Sequence, residues 1–554
     1  MLRRSLPILC AIVGLHAAKA QLPMAIPPLL EQDTFQLSVG QHVHQFYPGV
    51  NTTTFGVNGP YLGPTLLMQR GDTARLRVIN ELPQVTSMHW HGMHVPGDMD
   101  GGPQREVLPG EAWDVKYRVE NPAGTYWYHP HPHMLTASQA TKGIAGMIIV
   151  RDAEESALDL PRTYGVDDIP VVIQDRRFLA NGNMPTAPYG DSVLVNGTPH
   201  AYLECPAQVV RLRLLNGANA RVFALGFENG EEMHVIAGDG GLLNAPVTTD
   251  RLWLSNGERY EVLLDLSGME GDSLLLMSFG SELPQSVPGA NNLIWESSWL
   301  NGIDFPVLRI RVTAPTADPV TSIPSALGQA TPLDEALSVA TRTKALTGNG
   351  MVGMGMFMID GQMFNIDVIN DTMQLGSVEI WEIPNNSNMA HPMHIHGVSF
   401  FVLERDGIPT EPWERGAKDV VLVDAGETVR LIMRFDHPTN GWPFMYHCHN
   451  LLHEDNMMML QFIVTDPLTV GTTEPPTGDA IGIFPNPTSG LVWLHSTTPV
   501  DEFFVHDMSG RELMRARVNS ATEVPIDLER LPPGPYLVSA ARGGMRVMRL
   551  VVRE

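Results

Sequence analysis

The sequence predicts an all-β protein, with three β-sandwich units in a row and a smaller β-sandwich unit at the C-terminus. Three observations carry that prediction. Short alternating or apolar runs recur along the chain with Gly, Pro, Asn and Asp between them, as in residues 73–80, 113–120, 209–216, 260–266 and 428–435. Such runs are strands bounded by turns. The 44 prolines and 51 glycines serve many turns, and helical periodicity is scarce. Segments also repeat: Arg75-Leu76-Arg77-Val78-Ile79-Asn80 echoes Arg211-Leu212-Arg213-Leu214-Leu215-Asn216. His89-Trp90-His91-Gly92 echoes His394-Ile395-His396-Gly397, and Tyr128-His129-Pro130-His131 echoes Tyr446-His447-Cys448-His449.

Residues 1–20 have the pattern of a secretory signal, with Arg3 and Arg4, an apolar run from Leu6 to Leu15, and Ala18-Lys19-Ala20 before Gln21. No later apolar run is long enough to span a membrane as a helix. Removing the signal takes away Arg3, Arg4 and Lys19 and no acidic residue, so the mature net charge is −28 instead of −25. That surface repels nucleic acid and favours solubility. The mature chain keeps only Cys205 and Cys448, which excludes a disulfide framework. Cys205 has no histidine neighbour in sequence and is expected to be an inert structural thiol.

The three units are placed at 30–155, 160–315 and 345–467. The first and third carry the histidine pairs, so the middle one is expected to be a spacer and packing partner. A polar, proline-containing linker runs up to Lys344, followed by Met351, Met354, Met356 and Met358, whose thioethers could bind Cu(I) or simply pack. A second linker spans 468–478. The fourth unit, 479–554, contains Pro485-Asn486-Pro487-Thr488-Ser489-Gly490 and, late in the chain, Gly534-Pro535-Tyr536. It resembles the C-terminal sorting domain of proteins exported by type IX secretion, which implies the type IX machinery as a partner and a secreted or cell-surface location. A carbohydrate-binding or stalk module is the alternative.

The chemistry concentrates in residues 446–459. Cys448 is flanked by His447 and His449, with His453 five residues later and Met458 ten later. A thiolate, an imidazole and a weak thioether, with one further imidazole from elsewhere, suit a mononuclear blue-copper site. Alternation along a strand would put Cys448 on one face and both flanking histidines on the other. Four histidine motifs stand in order: His89-x-His91, His129-x-His131, His391-Pro392-Met393-His394-Ile395-His396, and His447-Cys448-His449.

With those motifs and Asp100-Gly101-Gly102-Pro103-Gln104, residues from about 35 to 467 resemble the multicopper oxidases, in particular the bacterial three-domain branch with bilirubin oxidases, spore-coat laccases and cuprous oxidases. The resemblance implies cupredoxin-like Greek-key sandwiches and four copper ions per chain. His391, Cys448, His453 and axial Met458 would bind the type 1 copper. His89 and His394 would bind the type 2 copper, and His91, His129, His131, His396, His447 and His449 the type 3 pair. Asp100 and Glu454 are the carboxylates implied to feed protons to the cluster. In the first unit Pro130, Thr86, Leu135 and Ala140 stand where Cys448, His391, His453 and Met458 stand in the third, so a single type 1 site is expected. His133 is expected behind the ligands, and His42, His44, His94, His200, His234, His437, His495 and His506 at surface or structural positions.

The implied reaction is oxidation of a donor, one electron at a time, coupled to reduction of O₂ to water. The donor is a small-molecule reductant, phenolic or pyrrolic, or Cu(I) in a copper-detoxifying oxidase. Relatives of this fold that have lost copper and serve structural or division roles are the non-enzymatic alternative, which the intact ligand set opposes. A monomer is expected.

Overall fold

The structure, a computed structural model, describes residues 21–291, 297–328, 330–349, 356–466, 481–507, 511–542 and 545–553. The signal segment, the 468–478 linker and Met351 and Met354 lie outside these residues, and Met356 is described in its backbone only. No helix among them is long and apolar enough to cross a membrane.

The protein is all-β. Residues up to Thr465 form one compact unit and those from Asp466 another. Within the first, three pairs of sheets repeat one plan. The first pair has four strands ordered Val50–Val57, Thr34–Tyr47, Thr73–Asn80, Ala112–Arg118, and five ordered Leu29–Glu31, Thr65–Gln69, Gly146–Arg151, Gly124–His129, His89–His91. Thr34–Tyr47 alternates exposed and buried residues over its first half, so Phe35, Leu37 and Val39 face the core. In every pair a parallel contact joins an early strand to a later one: Thr34–Tyr47 with Thr73–Asn80, Asp168–Arg176 with Val209–Asn216, and Ser338–Thr343 with Val378–Pro384. Each pair encloses its own apolar core.

Two details differ from expectation. Leu22–Pro23 pairs with Ala201–Pro206, so the N-terminal residues add an edge strand to the middle unit's sheet. Ser338–Thr343, expected as linker, is a strand of the third unit. Its burial alternates between half-buried and exposed, which is why its polar composition hid it.

The repeated Arg-x-Arg strand serves two purposes. Arg75 and Arg77 are exposed, while Arg211 and Arg213 are fully buried. Arg213 meets Asp168 and Glu261 at 2.6 Å each and Thr125 of the first unit at 2.9 Å. Arg211 meets Glu155 at 2.7 Å and also Glu261. Buried charges persist when paired and hydrogen-bonded, so these strands lock the first two units together.

The C-terminal unit has strands ordered Ile481–Phe484, Leu491–His506, Gly534–Arg542, Met545–Arg553, with Glu512–Asp527 beside Leu491–His506. Val492, Leu494, Val505, Ile526, Val538 and Val551 form its own core.

Candidate metal centre

Phe444–Cys448 lies between His391–Ile395 and Met459–Thr465, with Met393 opposite Cys448 and His394 opposite His447. Alternation along it separates two sites, as the sequence implied. On one face Cys448 Sγ lies 3.5 Å from His391 Nδ1 and 3.4 Å from His453 Nδ1, all buried. The outer nitrogen of His391 meets Ser387 Oγ at 2.8 Å, which fixes the ring with Nδ1 toward the sulfur. Phe357 packs against both rings, at 4.8 Å from His391 and 4.4 Å from His453. Burial pushes His391 down to about 3 and raises the Cys448 thiol. An apo thiol here is neutral, and a cation is needed to hold it as thiolate.

Met458 is fully buried in the same core as Cys448, and its carbonyl accepts from the Cys448 N–H at 3.1 Å. The route from Cys448 to Met458 runs through a helical turn. His453 sits on a helical turn, Leu451–Asp455, capped by the Asn450 side chain, and Met457 follows in the left-handed region at φ 75°. This turn sends Met457 to a separate cluster with Phe364, Met445 and Met459.

The other face opens on eight buried histidines. His91 Nδ1, His129 Nε2 and His449 Nε2 converge, with His129 at 3.3 and 3.4 Å from the other two. His131, His396 and His447 converge through Nε2, with His447 at 3.3 and 3.2 Å. His89 and His394 face each other through Nε2 at 3.5 Å. The first and third units each contribute four.

The outer nitrogens decide what these groups can hold. His89 and His394 donate through Nδ1 to the carbonyls of Asp100 and Asp419, at 3.0 and 2.8 Å. His129 and His447 donate likewise to the carbonyls of Pro130 and Cys448, at 2.9 and 3.1 Å. His396 Nδ1 meets Asp100 Oδ2 at 2.8 Å, His91 Nε2 meets Asp419 Oδ1 at 3.1 Å, and His131 Nδ1 lies 3.3 Å from Glu454. A neutral imidazole has one donor nitrogen, so the inward nitrogens present lone pairs to one another. Burial and mutual repulsion hold His91, His129, His131, His394, His396 and His449 well below their ordinary value, which keeps these rings neutral. Convergent buried lone pairs at these spacings suit metal cations, and the thiol–imidazole group suits a soft one.

Asp100 and Glu454 are both buried against histidines of these groups. Asp100 touches His396 and His89. Glu454 spans His131 and His447 at 3.3 and 3.4 Å, and burial raises its carboxyl well above the ordinary range.

A third carboxylate, Asp419, escaped the sequence reading. It contacts His91 and His394 and takes two hydrogen bonds of 2.6 Å from Arg259. Arg259 belongs to the middle unit and is fully buried. That unit is therefore more than a spacer. Its Gly257 comes so close to His449 that a Cβ would sit 3.1 Å from the ring, and a Cβ on Gly92 would lie 2.3 Å from Asp419 Oδ2. The signal available was Lys418-Asp419 immediately before the apolar run 420–423.

In the first unit, Thr86 Oγ1 bonds Gln139 Oε1 at 2.7 Å where the third has His391. His133 packs on Phe364 at 5.3 Å and belongs to no metal-competent group among the described residues. His94 ties the first unit to the third through Ser399 at 2.9 Å. Cys205 is fully buried, and burial pushes its thiol up to about 12.

Models of the multicopper oxidase family match residues 38–155, 168–292 and 334–467, and that of the secretion system C-terminal sorting domain matches 482–553. Multicopper oxidase mco of Staphylococcus haemolyticus is 33% identical over 432 residues, 76% of this chain and 86% of its own length. Cell division protein FtsP of Escherichia coli is 34% identical over 461 residues, 81% of this chain and 94% of its own. Among solved structures, the laccase-like multicopper oxidase CueO from Ochrobactrum sp. has 35% identity and a TM-score of 0.72, covering 80% of this chain and all of that one.

Proposed function

The chain belongs to the multicopper oxidase family, and on that premise we propose that it oxidises a phenolic or pyrrolic donor four times per O₂ reduced to water, using four copper ions. The observation that carries this is the pairing of a buried Cys–His–His group with eight inward-facing histidines on opposite faces of one strand. His391, Cys448, His453 and Met458 would hold the type 1 ion, His89 and His394 the type 2 ion, and the two histidine triads the type 3 pair. When bound, copper supplies the one-electron steps and the chemistry of O₂. The chain does the rest. Cys448 lies between His447 and His449 in sequence, so a few covalent bonds connect the two sites. Asp100 and Glu454 stand where protons must be delivered, because each O₂ consumes four. Arg259 and Asp419 hold His91 and His394 in orientation. The complete donor set supports an enzyme over a non-catalytic role.

A cuprous oxidase for copper detoxification is the second reading. Met358, half-buried, follows Phe357 in the strand Met356–Ile359, which covers the type 1 ligands. Oxygen uptake by copper-loaded protein offered Cu(I), a phenol and bilirubin separately tests the assignment. Turnover with the phenol or bilirubin supports the first reading, selective turnover of Cu(I) the second, and none with any donor defeats both.

Met458→Leu removes the weak axial donor at nearly constant volume, a change cores tolerate at under about 1.5 kcal/mol. The type 1 potential should rise while the blue band persists, because a thioether favours Cu(II). Met457→Leu, in the separate cluster, should leave the potential unchanged. Redox titration of both variants checks this.

Export through the type IX machinery is proposed from the sorting domain and the N-terminal signal. A chain ending at Asp466 should keep its specific activity, since the described residues up to Thr465 form a compact unit of their own, and should stay in the periplasm of a host with that machinery. Activity assay and fractionation check both halves.

A further inference from the structure

The helix Thr136–Lys142 of the first unit is held at both ends by the other two units. It is seven residues long, and its N-cap residue Leu135 offers no side-chain cap. A helix that short is not stable by itself, and its first N–H groups need outside partners. Asp455 of the third unit supplies them. Its two carboxylate oxygens accept from Thr136 N at 3.0 Å and from Ala137 N at 2.9 Å. At the other end Arg176 of the middle unit donates to the carbonyls of Ala140 and Thr141, at 3.1 Å each. Asn219, also of the middle unit, donates to Thr141 Oγ1 at 2.7 Å, and its carbonyl accepts from Leu451 N at 2.9 Å. Ala137, Ala140 and Leu451 complete the junction as a buried apolar contact.

Both partners in this junction continue directly from the metal centre. Thr136 lies five residues after His131, and Asp455 directly follows His453 and Glu454 at the end of the turn Leu451–Asp455. One carboxylate therefore ties together two histidine-bearing segments from different units. His453 is fixed by other contacts as well: its ring packs on Phe357 at 4.4 Å, and its carbonyl accepts from Met458 N at 2.9 Å. Glu454 has less support. It lies 3.3 Å from His131 and 3.4 Å from His447, which is long for a charge-assisted hydrogen bond, so the backbone of the turn sets its approach.

We propose that Asp455 is a positioning residue of the oxidase: by capping a first-unit helix from the third unit, it holds Glu454 against His131 and His447. The proposal rests on the oxidase reading above. It places the effect of Asp455 on the O₂ half of the reaction, where those two histidines and Glu454 stand. The donor half depends on the Cys448, His391 and His453 group, which keeps its own contacts when Asp455 is lost.

The test uses full-length, copper-loaded Asp455→Ala and Asp455→Asn beside the unmodified enzyme, with ferrocyanide as donor and with donor and O₂ varied in turn. In Asp455→Ala, kcat/KM for O₂ should fall about ten-fold. In Asp455→Asn the fall should be smaller, because the amide keeps one acceptor oxygen for one of the two N–H groups. The kcat/KM for ferrocyanide, the blue band and the copper content should match the unmodified enzyme in both variants. Where Asp455→Ala does not fold, Asp455→Asn decides by the same two ratios. A fall for ferrocyanide as large as that for O₂ would make Asp455 a general structural residue, and an unchanged ratio for O₂ would give it no role. Either result overturns the proposal and leaves the oxidase reading standing. Absence of a blue band and of oxygen uptake with every donor in the unmodified enzyme would instead overturn the oxidase reading.

Discussion

Cys448→Ser should abolish the intense blue absorption and turnover together while the copper held by the eight cluster histidines remains. Cys448 Sγ is the thiol sulfur that lies 3.5 Å from His391 Nδ1 and 3.4 Å from His453 Nδ1, and a serine hydroxyl cannot supply copper–thiolate bonding. The same residue is the covalent bridge from that site to His447 and His449. Their inward nitrogens are set by other contacts, His447 through the Cys448 carbonyl and His449 by packing on Gly257, and these do not need the sulfur. Loss should therefore be selective: one ion of four, with turnover down by several orders of magnitude. Absorption spectroscopy, metal analysis and oxygen uptake on the purified variant measure all three. A blue, active Cys448→Ser protein would falsify the metal-centre assignment.

Arg259→Leu should be the most damaging change away from the ligands. Arg259 gives Asp419 two hydrogen bonds of 2.6 Å and donates to the carbonyls of Asp239 and Thr125 at 2.9 and 3.0 Å. Asp419 and Asp239 are themselves fully buried. Deleting the cation leaves uncompensated buried charge, which costs about 3–5 kcal/mol. Asp419 also holds the outer nitrogens of His91 and His394, so copper at the cluster should bind more weakly. Arg77→Leu is the control, because its pair with Asp114 is exposed and worth under about 1 kcal/mol. Denaturant unfolding of copper-free protein separates the stability effect from the metal effect. Arg259→Lys should recover part of the stability, since it restores a cation without the two-pronged geometry. Equal midpoints for Arg259→Leu and Arg77→Leu would contradict the account.

How far the molecule could be read from its sequence follows the range of each interaction. The two-faced strand at 444–448 was legible because strand period and ligand spacing are both local, and His447, Cys448 and His449 carry them within three residues. The internal repeat exposed the pairing of the first and third units and the single thiol site. Local reasoning missed the helical turn Leu451–Asp455 and the left-handed Met457 that lead to Met458. It failed also at Asp419 and Arg259, which stand 160 positions apart. Nothing near Arg259 in sequence marks it as different from an ordinary strand arginine. Arg77 and Arg213 make the same point, since near-identical motifs are solvated in one unit and buried in the next. The polar strand Ser338–Thr343 was missed because half-exposed edges need little apolar sequence.

The most direct test of the central claim is the copper content of the purified, copper-loaded chain, measured beside Cys448→Ser. Four ions per wild-type chain and three per variant chain are predicted. A wild-type chain that retains no copper, or the same number as the variant, would contradict it.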